Sequence, residues 1–122
     1  MSPDPAPGRP GGVSPDPAPG TVAAVFAALA DPSRRQVIGV LAARGTATAT
    51  AVAEELAITR QAVTKHLATL GDAGLVSAER AGREVRYQLR PAPMRLAARW
   101  LDTAAGAWDD RLATLKDAAE HR

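Results

Sequence analysis

Between residues 49 and 73 two apolar repeats of helical period follow one another almost without a gap. Val52, Ala53 and Leu56 fall on one face of the first, and Val63, Leu67 and Leu70 recur at i, i+4 and i+7 in the second. Thr48 and Thr59 stand where each segment needs an acceptor for its first free amides, so the spacing predicts capped helices over Ala49–Leu56 and over residues 59–73. Segments this short are not stable alone in water and must be held by their neighbours. The rest of the chain has to supply a core for this pair.

Upstream, Val22, Val25, Phe26 and Leu29 share one helical face, and Asp31-Pro32 offers an N-cap and a first-turn proline for a further helix. That helix is expected to bury Val37, Ile38 and Leu41 and to end at Arg44-Gly45. Downstream, Gly74 closes the helix over 59–73, with Leu75 free to pack back beneath it. The period then drops from about 3.6 to 2, because Val85, Tyr87 and Leu89 alternate with Glu84, Arg86 and Gln88. With Ala81-Gly82-Arg83 as the turn, this predicts a β-hairpin. After Pro91 and Pro93, Leu96, Trp100, Ala104, Trp108, Leu112 and Leu115 mark one stripe of a helix running from about Met94 to Glu120.

Residues 1–20 are of another kind. The heptapeptide SPDPAPG occurs at 2–8 and again at 14–20, in a stretch too rich in Pro and Gly to bury apolar surface, so a disordered tail is expected before a single domain at 21–122. It reads either as a polyproline partner motif or as a dispensable duplicated leader. It contains no apolar run of the secretory kind, and no later stretch approaches a membrane span, so a cytoplasmic protein without membrane contact is expected. The absence of cysteine removes disulfides and thiolate metal sites from consideration. No catalytic triad order, phosphate-binding glycine loop or paired loop carboxylates are present, which argues against an enzyme.

The formal net charge is only +2, but its distribution is uneven. Segments 21–58 and 91–122 each balance to zero. Between 59 and 90, Arg60, Lys65, Arg80, Arg83, Arg86 and Arg90 face Asp72, Glu79 and Glu84, leaving +3 on the second short helix and the hairpin. The polar face of that helix carries Gln61, Thr64, Lys65 and Ala68, side chains suited to base edges in the major groove of double-stranded DNA. Any surface helix has a polar face. It is the order of short helix, tight turn, capped helix and basic hairpin that points to a helix-turn-helix reader with a wing. Arg80, Arg83 and Arg86 are expected around the hairpin turn, against phosphates.

Other residues have two readings. His66 flanks the apolar stripe and suits packing or a phosphate contact better than a metal. Asp109, Asp110, Asp117, Glu120 and His121 either solubilise the last helix or meet their mates across a dimer as an oxygen/nitrogen metal site. Trp100 and Trp108 lie on a stripe longer than so small a core can cover, which predicts burial against a second copy or a cavity for an apolar effector. No residue pattern calls for a cofactor or a metal, and the alternative to a plain repressor is a sensor that binds a small apolar ligand or metal at the dimer helices and releases DNA in response.

FAALADPSRRQVIGVLAARG and AVAEELAITRQAVTKHLATLGDAGLVSAERAGREVRYQL resemble the ArsR/SmtB family of bacterial winged-helix repressors. The resemblance implies a mainly α fold with a small β-wing, a winged helix-turn-helix in the order helix, helix, strand, helix, helix, strand, strand, helix. It implies a homodimer formed by the terminal helices and an operator with two half-sites. DNA-binding residues by this resemblance are Thr59, Arg60, Gln61, Thr64, Lys65 and His66 on the recognition helix and residues 80–86 in the wing. The dimer interface would comprise Val22, Val25, Phe26, Leu29, Leu96, Trp100, Ala104, Trp108, Leu112 and Leu115. The family's thiolate signature and its last-helix zinc pattern are not reproduced. Ala57 stands where the family commonly has a turn glycine, and a left-handed alanine there costs about 1 kcal/mol.

Overall fold

The computed structural model describes residues 17–121. Its elements are α1 (Val22–Leu29), α2 (Pro32–Arg44), β1 (Ala47–Thr48), α3 (Ala49–Leu56), α4 (Arg60–Asp72), β2 (Val76–Ala81), β3 (Glu84–Leu89) and α5 (Pro91–Glu120). The strands form one antiparallel sheet in the order β1-β3-β2, with Ala47 opposite Tyr87, Val76 opposite Leu89 and Ala81 opposite Glu84. This is the expected winged helix-turn-helix order.

Local chemistry sets most boundaries. Threonine hydroxyls at 21, 48 and 59 each accept the amide three residues on, and Asp31 Oδ1 accepts from the Ser33 amide at 2.8 Å. At the end of α4 the Gly74 amide donates to the Gly71 carbonyl and the Leu75 amide to the Leu70 carbonyl, both at 3.0 Å, which closes the helix in a Schellman motif. The chain reverses at Gly74, whose φ is +85°. α5 begins earlier than the stripe suggested, at Pro91, because a proline in the first turn gives up an amide that has no helical partner anyway.

One buried cluster draws on α1, α2, α3, α4, the strands and α5. Val25, Val37, Leu41, Val52, Val63, Leu67, Leu70 and Leu75 are at most 2% exposed. Two expectations are corrected here. Val40, rather than Ile38, joins Val37 and Leu41 as the third fully inward residue of α2, while Ile38 stays half-buried. Val25, expected at a dimer interface, lies wholly inside this chain's own core and has no surface left to offer a partner.

Of the tail expected over 1–20, positions 1–16 lie outside the described residues. Positions 17–20 belong to the fold. The Gly20 amide donates to the Ala73 carbonyl at 2.9 Å, and Thr21 donates through both its amide and its hydroxyl to the Ala18 carbonyl. A Cβ on Gly74 would lie 2.8 Å from the Gly20 nitrogen, so the contact is close enough to require glycine at 74. The end of the second heptapeptide is thereby a brace between α1 and the C-terminus of α4.

A pair of arginines that sequence reasoning left unassigned ties α1 to α2. Arg34 and Arg35 sit in the first turn of α2, the wrong end for their charge with respect to that helix's own dipole. Arg34 Nε donates to the Ala28 carbonyl at 2.7 Å and Nη2 to that of Ala27, while Arg35 donates to Leu29. They cap the carbonyl end of the preceding helix instead. The signal was present in the sequence as a basic pair at a helix start.

Ala57, the hinge residue between α3 and α4, has φ 57° and ψ 40°. A side chain in this region costs about 1–2 kcal/mol, of which the looser unfolded chain of a glycine returns roughly half a kcal/mol. Ala57→Gly should therefore raise stability by about 1 kcal/mol and the melting temperature by a few degrees, read by thermal unfolding at fixed protein concentration. An unchanged or lower melting temperature would show that the hinge is not strained.

Candidate nucleic-acid interface

Arg60, Gln61, Thr64, Lys65 and Ala68 line one shallow, open surface along α4. The helical period places them there: Val63, Leu67 and Leu70 turn inward to full burial, which leaves the opposite face to solvent. Thr59 is spent on capping, since its hydroxyl accepts the Ala62 amide at 3.0 Å. His66 is half-buried on the flank between the two faces and does not line that surface. The structure thus gathers four of the six expected recognition-helix residues, together with Ala68, and sets Thr59 and His66 apart.

The wing arginines do not act as one cluster. Side chains alternate across a strand, and the register fixes which share a face. Arg80 lies opposite Val85 and shares the inward face with Tyr87, whereas Arg86 lies opposite Glu79 on the outward face. Arg86 also pairs with Glu84 at 3.1 Å. Only Arg83 occupies the two-residue turn, beside Gly82 at φ +66°. The sequence showed three bases near a turn but not the strand pairing that separates them.

Arg83 instead faces the recognition helix across an open cleft. The cleft, of about 480 Å³, lies between α4 and the wing, lined by Arg60 and Thr64 on one side and by Arg83, Val85 and Tyr87 on the other. Thr48 and Thr50, at the start of α3, complete it. Thr50 and Tyr87 were not singled out by sequence. Tyr87 was read only as one of the alternating residues of a strand, and nothing in its spacing tells where its hydroxyl ends.

α5 spans 30 residues, about 45 Å, and Ala97 is its only buried residue among those described. Phe26 of α1 meets Trp100 edge to face, with ring centroids 5.9 Å apart. Beyond this contact the stripe is bare: Leu96, Trp100, Leu101, Trp108, Leu112 and Leu115 are 41–57% exposed. Leu101 was missed by the sequence reading, although on a helical wheel it falls between Trp100 and Leu112. At the far end His121 Nδ1 approaches Asp117 Oδ1 at 3.2 Å, and no group of three metal-ligating side chains gathers among the described residues.

A family model described as a helix-turn-helix domain matches residues 29–77. A probable mercury resistance operon repressor of Streptomyces lividans is 39% identical over 90 residues, covering 70% of this chain and 71% of that protein. The solved structure of an ArsR-like transcriptional regulator from Rhodococcus sp. RHA1 superposes with a TM-score of 0.72 at 40% identity, over 83% of this chain and 94% of the other. The chain belongs to the ArsR family of transcriptional regulators. This ArsR-family chain is also similar to the homodimeric winged helix-turn-helix DNA-binding domain of a possible ArsR-family regulator from Mycobacterium bovis. There the TM-score is 0.57 at 30% identity, over 69% of this chain and 78% of that one. As an ArsR-family member it is a DNA-binding transcriptional regulator rather than an enzyme. Its described helices include none long and apolar enough to cross a membrane.

Proposed function

We propose that the chain works in the cytoplasm as a homodimeric repressor of its own or a neighbouring operon. Gln61, Thr64 and Lys65 of α4 read base edges in the major groove, while Arg80 and Arg83 of the wing contact the DNA backbone. The carrying observation is the single exposed surface shared by Arg60, Gln61, Thr64, Lys65 and Ala68. Arg86 contributes less, because Glu84 already offsets its charge. Two copies pair through α1 and α5, burying Phe26, Leu96, Trp100, Ala104, Trp108, Leu112 and Leu115, with Val22 and Leu29 at the margin. The M. bovis relative is a homodimer, which supports dimer formation.

A twofold dimer places its two recognition helices on half-sites about one helical turn apart, roughly 34–36 Å, so the operator is expected to be palindromic. The S. lividans relative is named for mercury resistance. This chain contains no cysteine, so its own residues cannot build a thiolate site for that metal.

The double variant Gln61→Ala/Thr64→Ala tests the assignment. It should keep its helicity and its dimer but lose preference for operator over random duplex by about 100-fold, since each specific base contact carries about 1–3 kcal/mol. Competition binding at fixed salt reads the ratio. Retention of full preference would sink the assignment.

A further inference from the structure

We propose that the cleft between α4 and the wing seats one backbone phosphate of the DNA, held by Arg60 and Arg83 and by the hydroxyls of Thr50 and Tyr87. The inference rests on the DNA-binding reading and adds one role to it: Arg60 is a positioning residue that fixes the helix on the backbone.

The cleft has the right chemistry for a phosphodiester. Arg60 and Arg83 enter it from two different elements, and neither forms an ion pair among the described residues. Its one carboxylate, Glu84, is already matched by Arg86 at 3.1 Å, so the net charge is that of the two guanidinium groups. Thr50 and Tyr87 make no side-chain hydrogen bond among the described residues, so their hydroxyls are free to donate to phosphate oxygens. Guanidinium groups bind such oxygens with short, charge-assisted bonds.

The walls are also held in place. Tyr87 is half-buried against the core, opposite Ala47, so its ring fixes where the hydroxyl sits. Arg83 is presented by a two-residue turn between paired strands, and Arg60 opens α4 immediately after the Thr59 cap. Arg60 and Thr64 border both this cleft and the reading surface, whereas Gln61 and Lys65 border the reading surface alone. A phosphate held here would set the depth and register at which Gln61 and Lys65 meet the bases.

The test uses the full chain and a duplex recovered by selection from a random library, with a single neutral methylphosphonate placed at each backbone position in turn. Wild type should lose about tenfold at one position in each half-site, the size expected for a charged hydrogen bond. Arg60→Gln and Arg83→Gln should each bind the unmodified duplex about tenfold less tightly and lose less than the wild type does to that methylphosphonate. Tyr87→Phe should show a smaller loss at the same position. For each seat emptied, the slope of log affinity against log salt should fall by about 0.9. Unchanged melting temperatures would separate these effects from misfolding.

If Arg60→Gln alters the preferred bases, or if Arg83→Gln keeps the wild-type profile at every position, the proposal fails while the DNA-binding reading stands. A flat scan, with inorganic phosphate displacing the duplex more strongly than chloride at equal ionic strength, would assign the cleft to a free anion and overturn it as well. Recovery of no duplex at all would remove the DNA-binding reading and this proposal together.

Discussion

Leu70→Ala should destabilise the chain by about 3–5 kcal/mol, the largest effect expected of any single truncation in α4. Leu70 is 0% exposed, and its carbonyl accepts the Leu75 amide in the motif that closes the helix. Leu75, also 0% exposed, packs directly beyond it. Removing the side chain leaves a cavity where α4 passes into β2, and the Gly20–Gly74 brace on the same corner restricts collapse into the space. A domain of this size has about 5–15 kcal/mol in total, so the variant should be near its limit at physiological temperature. Urea unfolding at fixed protein concentration would show a lower midpoint with an unchanged slope. A loss below about 1 kcal/mol would mean that the corner repacks and that α4 is held mainly by its N-terminal half. Ala68→Ser, on the exposed face of the same helix, should change stability by no more than about 0.5 kcal/mol.

The second large effect concerns assembly. Trp108→Asp/Leu112→Asp should convert the proposed dimer to monomer at micromolar concentration. Both side chains are about half exposed in the single chain, at 57% and 45%, so the substitutions cost the monomer little. At a closed interface they would leave carboxylates buried and unpaired, which no local adjustment offsets. Coupling two weak readers through one interface multiplies their affinity by about 10²–10⁴, and the variant should lose that gain on a two-half-site operator while keeping its affinity for an isolated half-site. Sedimentation velocity and half-site binding measure the two consequences. A variant that stays dimeric would place the interface elsewhere on the chain.

Much of the site was legible because it depends on short-range rules. Hydroxyl caps at Thr48 and Thr59, the i, i+4, i+7 pattern of Val63, Leu67 and Leu70, and the Gly74-Leu75 stop each operate within a few residues, and together they fix which side of α4 faces out. The excess charge on residues 59–90 was legible for the same reason.

The residues that sequence reasoning misplaced share a different property. Val25 resembled Phe26 in pattern, yet one is buried in the core and the other meets Trp100, a distinction set by how α1 lies against α5. Arg80, Arg83 and Arg86 looked equivalent until strand register sent Arg80 and Arg86 to opposite faces and left Arg83 in the turn. Ala18 to Gly20 looked like tail until the corner at Ala73 was in place to receive them.

The tight pair of helices over residues 49–73, with its caps and its outward polar face, was determined by the sequence alone, because helical period and capping chemistry are local. The tertiary structure decided what that face is joined to. It set Arg83, from a hairpin more than twenty residues away, on the same cleft as Arg60, and it left the stripe of α5 bare. Such contacts depend on strand register and helix packing between distant segments, and no periodicity within one segment encodes them.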